Sequence, residues 1–364
     1  MNNEKLPSFI PYYGGLHNTI HEMSVAGDTK AKIGLGQILV LGILASVYLT
    51  FATTLAIVCA TGIETVSVKK LVMGVVFPVG LIAILIGGAE LYTGNAMVPS
   101  VAGMTGRTGW NRVAYNWVGS YTGNFLGGIF GAIFIIYLTN ILGDPFLMTV
   151  KKVAFKKVSN PWMTNFWRGL ACVWLVDLAV YLAGRVKEPA AKFFLIWFPT
   201  MTFFAIGFEH SIVNMFIIPA GIMAGAPITW GQFLWNNLVP VTLGNTVAGL
   251  FTVGMAYWYT AGMPVLKKAV EPGSQYVPYA HEDYVHGDNA YLAKTFITGA
   301  VLTLVFTALM PGVAALVTYG VLEGAPAMAT SVKEHLAPQG LVKGLMVCAY
   351  FTAVAFVASV SLRK

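Results

Sequence analysis

The residues able to do chemistry sit where the chain is most apolar. Within the run from Phe193 to Met223, the segment Gly207-Phe208-Glu209-His210-Ser211-Ile212-Val213-Asn214 interrupts an otherwise hydrophobic stretch, with Pro199 and Pro219 on either side. A charged side chain at the centre of a bilayer costs about 2.5–3.5 kcal/mol on insertion scales. Such residues persist where they face a cavity, a partner or a permeant. His210 has the side chain that can donate or exchange a proton near neutral pH. Asn214 follows four residues later and shares its face if the helix there is regular. A second interruption, Gly87-Gly88-Ala89-Glu90-Leu91-Tyr92-Thr93-Gly94-Asn95, lies in the apolar run from Leu71 to Val101. Glycines and polar groups at mid-membrane depth imply broken helices whose irregular backbone lines a cavity or is covered by protein. Glu90 and Glu209 read as acceptors for backbone N–H groups freed at the breaks, not as catalytic acids. No nucleophile–base pair and no metal-ligand spacing stands out, so an enzyme, a cofactor and a metal are not expected. Cys59, Cys172 and Cys348 lie in apolar runs without pair spacing and read as packed thiols.

The elements that must position these residues are membrane helices. The chain of 364 residues is 57% hydrophobic and only 10% charged, against about 25% charged in soluble domains. Apolar runs of about 20 residues recur and no alternating barrel pattern appears. The polar leader, residues 1–32, has no apolar core, so no cleaved signal peptide is expected there. It could form an amphipathic helix on the membrane. Spans are expected near Ile33–Ala60, Leu71–Val101, Ala114–Leu142, Trp162–Ala183, Phe193–Met223 and Phe233–Ala261. A polar loop carrying Lys151, Lys152, Lys156 and Lys157 separates the third from the fourth. The division is a six-span channel domain over 33–262, a cytoplasmic linker over 263–293, and a C-terminal hairpin over 294–364. That hairpin has apolar runs Thr295–Leu322 and Leu341–Val360 and reads as accessory, with docking of a partner protein left open.

A weak internal repeat supports this division. Glu90 precedes Asn95 by the same five residues as Glu209 precedes Asn214. Asn116 precedes Gly123-Asn124 as Asn237 precedes Gly244-Asn245. Three spans per repeat force the halves to be inverted relative to each other, and matched helix breaks in inverted halves point to a permeation site at the midplane. The fold class is therefore an all-α integral membrane protein, a three-plus-three inverted repeat with broken second and fifth helices, plus about two C-terminal spans. The net charge of +7 sits in short loops between spans, which excludes a nucleic-acid role. Counting Lys and Arg places both termini in the cytoplasm, with the protein multi-pass in the plasma (inner) membrane. Lys69, Lys70 and the lysines from Lys151 to Lys157 fall outside, and a vestibule that concentrates anions would explain them.

These motifs resemble the formate–nitrite transporter family. The matching stretches are Ala89-Glu90-Leu91-Tyr92-Thr93-Gly94-Asn95, Asn116-Trp117 through Gly123-Asn124, Gly207 to Asn214, and Leu243-Gly244-Asn245. The resemblance covers roughly residues 30–262. It implies an aquaporin-like six-helix protomer, assembled as a homopentamer with one pore per protomer, that passes small monovalent anions or their weak acids. Formate is the leading permeant; hydrosulfide, nitrite and bicarbonate are alternatives. By position, Lys157 resembles a vestibule lysine that attracts the anion. His210 would give a proton or a hydrogen bond at the midplane, with the Thr93 hydroxyl opposite it and the Asn214 amide in contact with the same site. The resemblance also places two collars, Phe77, Leu81 and Phe203 in one and Leu91, Tyr92 and Val176 in the other, which exclude hydrated ions by dewetting. One departure stands out. Val173 replaces a customary Asn, and an acid, Asp177, stands one residue beyond Val176. Asp177 is read as carrying its proton, as a proton relay on the cytoplasmic side of His210, or as a partner of another polar group at an interface. Readings of another class are a neutral-solute pore and an assembly or docking subunit. The chain lacks the paired Asn-Pro-Ala motifs of water channels.

Overall fold

The computed structural model describes residues 15–267 and 284–323, with side chains of the last helix to residue 315. The two halves follow one plan. The first runs α1 (Leu16–Ala31), α2 (Leu35–Ala60), α3 (Val66–Gly87), α4 (Tyr92–Asn95), α5 (Val98–Met104) and α6 (Trp110–Leu138). The second runs α7 (Phe146–Ser159), α8 (Trp162–Gly184), α9 (Pro189–Ile206), α10 (Ser211–Met223) and α11 (Trp230–Thr260). An antiparallel pair, β1 (Pro264–Leu266) with β2 (Tyr284–His286), then leads to α12 (Asn289–Glu323). Among the described residues seven helices are long and apolar enough to cross a bilayer: α2, α3, α6, α8, α9, α11 and the Asn289–Ala315 part of α12.

Each half packs by letting backbones approach. α2 lies on α6, and α8 lies on α11. A Cβ on Gly123 of α6 would sit 2.7 Å from the Leu39 carbonyl oxygen of α2. A Cβ on Gly244 of α11 would meet the Phe166 carbonyl oxygen and lie 2.8 Å from the Leu170 nitrogen of α8. Hydrocarbon offers no solvophobic drive between helices, so small residues that admit close van der Waals contact hold such pairs. α6 and α11 both contain π-helical turns, Phe134–Leu138 in the first and Phe233–Leu238 and Ala248–Met255 in the second.

Two expectations are corrected here. The segment with Lys151 to Lys157 is not a loop but α7, a helix of 14 residues. The leader forms α1, which packs against α5 and buries Thr19, Ile20, His21, Met23, Ser24, Gly27, Asp28 and Ala31. It precedes α2 as α7 precedes α8, so each repeat is one short helix followed by three spans. Finally, part of the expected linker is ordered as β1, β2 and the start of α12, whose first turn begins at Asn289. The expected run Leu341–Val360 lies outside the described residues.

Candidate functional site

The two breaks are built alike. α3 ends at Gly88, with φ of 77°, and α9 ends at Gly207, with φ of 88°. Only glycine adopts this left-handed conformation without a steric penalty. Beyond it the chain runs extended, so backbone groups lose their helical partners and need others in a medium without water. Two asparagines supply them. Asn124 of α6 accepts from the Tyr92 N–H at 2.8 Å and donates to the Gly42 and Glu90 carbonyls at 2.8 and 2.9 Å. Asn245 of α11 accepts from the Ser211 N–H at 2.9 Å and donates to the Gly169 and Glu209 carbonyls at 2.8 and 3.1 Å. The carboxylates of Glu90 and Glu209, expected to cap the freed N–H groups, do not; amide side chains, with donor and acceptor together, do so instead.

Those carboxylates hold lysines. Lys30 donates to Glu90 Oε1 at 2.5 Å, and Asn95 donates to its Oε2 at 2.6 Å. Lys157 donates to Glu209 Oε2 at 2.9 Å, and Asn214 donates to the same oxygen at 2.8 Å. Asn116 and Asn237 then donate to the backbone carbonyls of Lys30 and Lys157, at 2.9 and 3.1 Å. The Asn214 amide nitrogen is therefore part of this clamp, donating also to Asn237 Oδ1 at 2.7 Å, while its backbone N–H donates to the His210 carbonyl at 3.0 Å. Lys30 was not foreseen. Its signal was position: it stands as far ahead of Leu35, the start of α2, as Lys157 stands ahead of Trp162, the start of α8.

At the centre, His210 caps the N-terminus of α10. Its Nδ1 accepts from the Val213 N–H at 3.3 Å, and its Nε2 lies 3.1 Å from Thr93 Oγ1. A ring nitrogen that accepts from an amide carries no proton, so the hydrogen of the neutral ring is on Nε2, facing Thr93. His210 and Thr93 are both buried. The ring of Phe203 lies 6.0 Å from that of His210 at 19°. Phe203 also meets Phe77 edge-on at 5.8 Å, and Phe77 stacks on Phe204 at 3.8 Å. Phe77, Leu81 and Phe203 are all buried.

A cavity of about 420 Å3 opens beside Phe203 and His210, lined also by residues of α7. His210, Phe203 and Phe204 line its floor; Lys70, Lys156, Lys157 and Arg168 bring four cations against the single carboxylate of Glu209. Leu91, Tyr92 and Val176 are buried. The Tyr92 hydroxyl is hydrogen-bonded to Thr246 at 2.5 Å, and its ring packs among aromatic groups of α6 and α12. Asp177 is buried in α8, and neither carboxylate oxygen has a hydrogen-bond partner among the described residues. Oδ2 lies against Gly249, in the π-helical part of α11. No cluster of His, Cys, Asp or Glu able to hold a metal occurs among the described residues.

Residues 17–259 match the family model for formate/nitrite transporters. The chain belongs to the formate/nitrite transporter family. Members of this family are channels and transporters, not enzymes. A probable formate transporter of Methanothermobacter thermautotrophicus is 42% identical over 262 residues, spanning 67% of this chain and 95% of that one. The formate channel FocA of Escherichia coli is 32% identical over 259 residues, spanning 64% and 89%. Among solved structures, an FNT family ion channel matches with TM-score 0.62 and 29% identity, over 66% of this chain and 98% of that chain. A pentameric formate channel with formate bound matches with TM-score 0.57 and 31% identity, over 62% and 97%. The family match thus ends before β1 and α12.

Proposed function

We propose that this family member is a channel for a small monovalent anion, formate first, that admits the anion to a basic vestibule and passes it through the collars as the neutral acid. The observation that carries the proposal is the contact of His210 Nε2 with Thr93 Oγ1 at the floor of the cavity lined by Lys70, Lys156, Lys157 and Arg168. An anion cannot cross an apolar collar without solvation or a fixed counter-charge. The vestibule cations raise its local concentration, and a proton from solvent hydronium, which is left as water, converts it to the neutral acid before the collar. The role supported for His210 is hydrogen-bond donation, not proton transfer. A neutral ring that gave up its Nε2 proton would become an imidazolate. A doubly protonated ring would lose the Val213 N–H bond that caps α10. Thr93 offers both a donor and an acceptor to the same permeant. The Lys30–Glu90 pair would serve the opposite mouth as Lys157–Glu209 serves this one. Likeness to a pentameric formate channel supports a homopentamer, with α1 on the cytoplasmic side of the plasma membrane.

Proteoliposome uptake of formate, nitrite, hydrosulfide and glycerol at pH 5 and pH 7.5, for the native chain and His210→Phe, tests this. One anion should enter faster in acid, and the substitution should abolish or reshape that entry. Equal entry of glycerol, with no effect of His210→Phe, would mean a neutral-solute pore.

A further inference from the structure

α12 lies beyond the family match, yet it is seated in the groove between α6 and α11. Its buried residues, Thr295, Thr303, Phe306, Thr307, Met310 and Ala314, recur at helical spacing, while Phe296, Ile297, Val301, Leu304 and Val305 on other faces are exposed. A Cβ on Gly299 would lie 2.6 Å from Leu250 of α11, so the two helices approach closely. An accessory span held only by lipid would show no such one-sided burial.

Phe306 is what this stripe delivers to the channel. Its ring stacks on Tyr92 at 4.9 Å and 13°, and meets Trp117 and Tyr121 edge-on, each at 5.5 Å. Tyr92 belongs to α4, a helix of only 4 residues between a break and the next turn. One turn has little backbone stiffness of its own. Its ring position is therefore set by what surrounds it: Tyr121 edge-on at 5.1 Å, Trp117 edge-on at 6.3 Å, the Thr246 hydroxyl at 2.5 Å, and Phe306 over one face. Three of these come from the six-span body; the fourth is supplied by the added helix.

We propose that Phe306 is a positioning residue for the inner collar: α12 wedges Tyr92 in place and so sets the size of permeant that passes. This rests on the channel reading, in which Leu91, Tyr92 and Val176 form that collar. Truncating Phe306 leaves a space behind Tyr92 into which its ring can retreat, and the collar widens. Larger carboxylic acids gain more from this than formate does.

The test compares acetate and formate uptake, at one pH, in proteoliposomes of the full chain. The native protein is compared with Phe306→Ala, Phe306→Leu and Phe306→Tyr, with Leu304→Ala, on an exposed face of the same helix, as control. Phe306→Ala should raise the acetate-to-formate ratio by about 2- to 10-fold, the range set by loss of one aromatic pair. Phe306→Tyr should restore the native ratio, and Leu304→Ala should leave it unchanged. A folded Phe306→Ala with native formate uptake and an unmoved ratio overturns the proposal. Should Phe306→Ala fail to fold, the Leu and Tyr variants decide, since equal ratios in those two also overturn it. A native chain that admits no anion refutes the channel reading instead, and a native chain with formate flux but no Phe306 effect refutes only the role of α12.

Discussion

Lys157 and Glu209 form one ion pair, but opposite effects on an entering anion follow from neutralising each. Lys157→Met removes one of four cations lining the vestibule and leaves the carboxylate of Glu209 unopposed. Glu209→Gln keeps the side chain's shape and one acceptor oxygen while freeing the lysine. A unit charge roughly 7 Å from the anion, at an effective dielectric between about 20 and 80, contributes about 0.5–2.5 kcal/mol. The half-saturation concentration for formate should therefore rise about 2- to 50-fold in Lys157→Met and fall in Glu209→Gln. The double variant should lie near the native value, because the pair acts at a distance as a dipole. Raising ionic strength should shrink the single-variant effects, since the vestibule is open to solvent. The assay is initial formate uptake against concentration, at low and high salt, alongside thermal unfolding in detergent. The unfolding control matters, because breaking a buried pair costs up to about 3–5 kcal/mol. In Lys157→Met the bonds from Asn214 and Asn237 to the carboxylate remain to limit that cost. Shifts of the same sign in both folded single variants would refute the electrostatic reasoning and leave the pair as scaffolding.

Asp177→Asn should change the pH dependence of formate flux if the buried carboxyl exchanges protons with the pathway; an unchanged profile measured between pH 5 and 8 removes it from the mechanism. Gly244→Ala places a methyl group against the Phe166 carbonyl, and the α8–α11 contact should weaken by about 1–3 kcal/mol. Thermal unfolding in detergent reads this directly, and a native melting temperature would show that the helices can part without cost.

Much of this molecule is written along the chain. Recurring apolar runs dictate membrane helices. The polar knots around Glu90 and His210 locate the breaks, since glycines and ionisable groups at that depth are tolerated only beside a cavity or partner. The matched spacing of Glu90 with Asn95, Glu209 with Asn214, and the asparagines of α6 and α11 announces the repeat. Other features depend on which atoms meet across helices, and spacing along one helix does not encode that. The carboxylates of Glu90 and Glu209 were expected to hold backbone N–H groups. The structure gives that task to Asn124 and Asn245 and turns the carboxylates to Lys30 and Lys157. An amide can satisfy a donor and an acceptor at once, whereas a carboxylate only accepts and gains more from a cation. Spacing to His210 marks Asn214 as polar at the break, but only tertiary packing shows that its amide nitrogen donates to Asn237 and Glu209. α12 read as accessory because no polar group marks it. Its part in the structure is carried by Phe306, an apolar ring like the other 21 phenylalanines in composition, and only its seat on Tyr92 separates it from them. The sequence by itself determined the helices and the breaks, because those follow from solvation of the backbone. The tertiary structure alone decided the ion pairs, the asparagine clamps and the wedge, because those follow from distances between parts of the chain that sequence order leaves far apart.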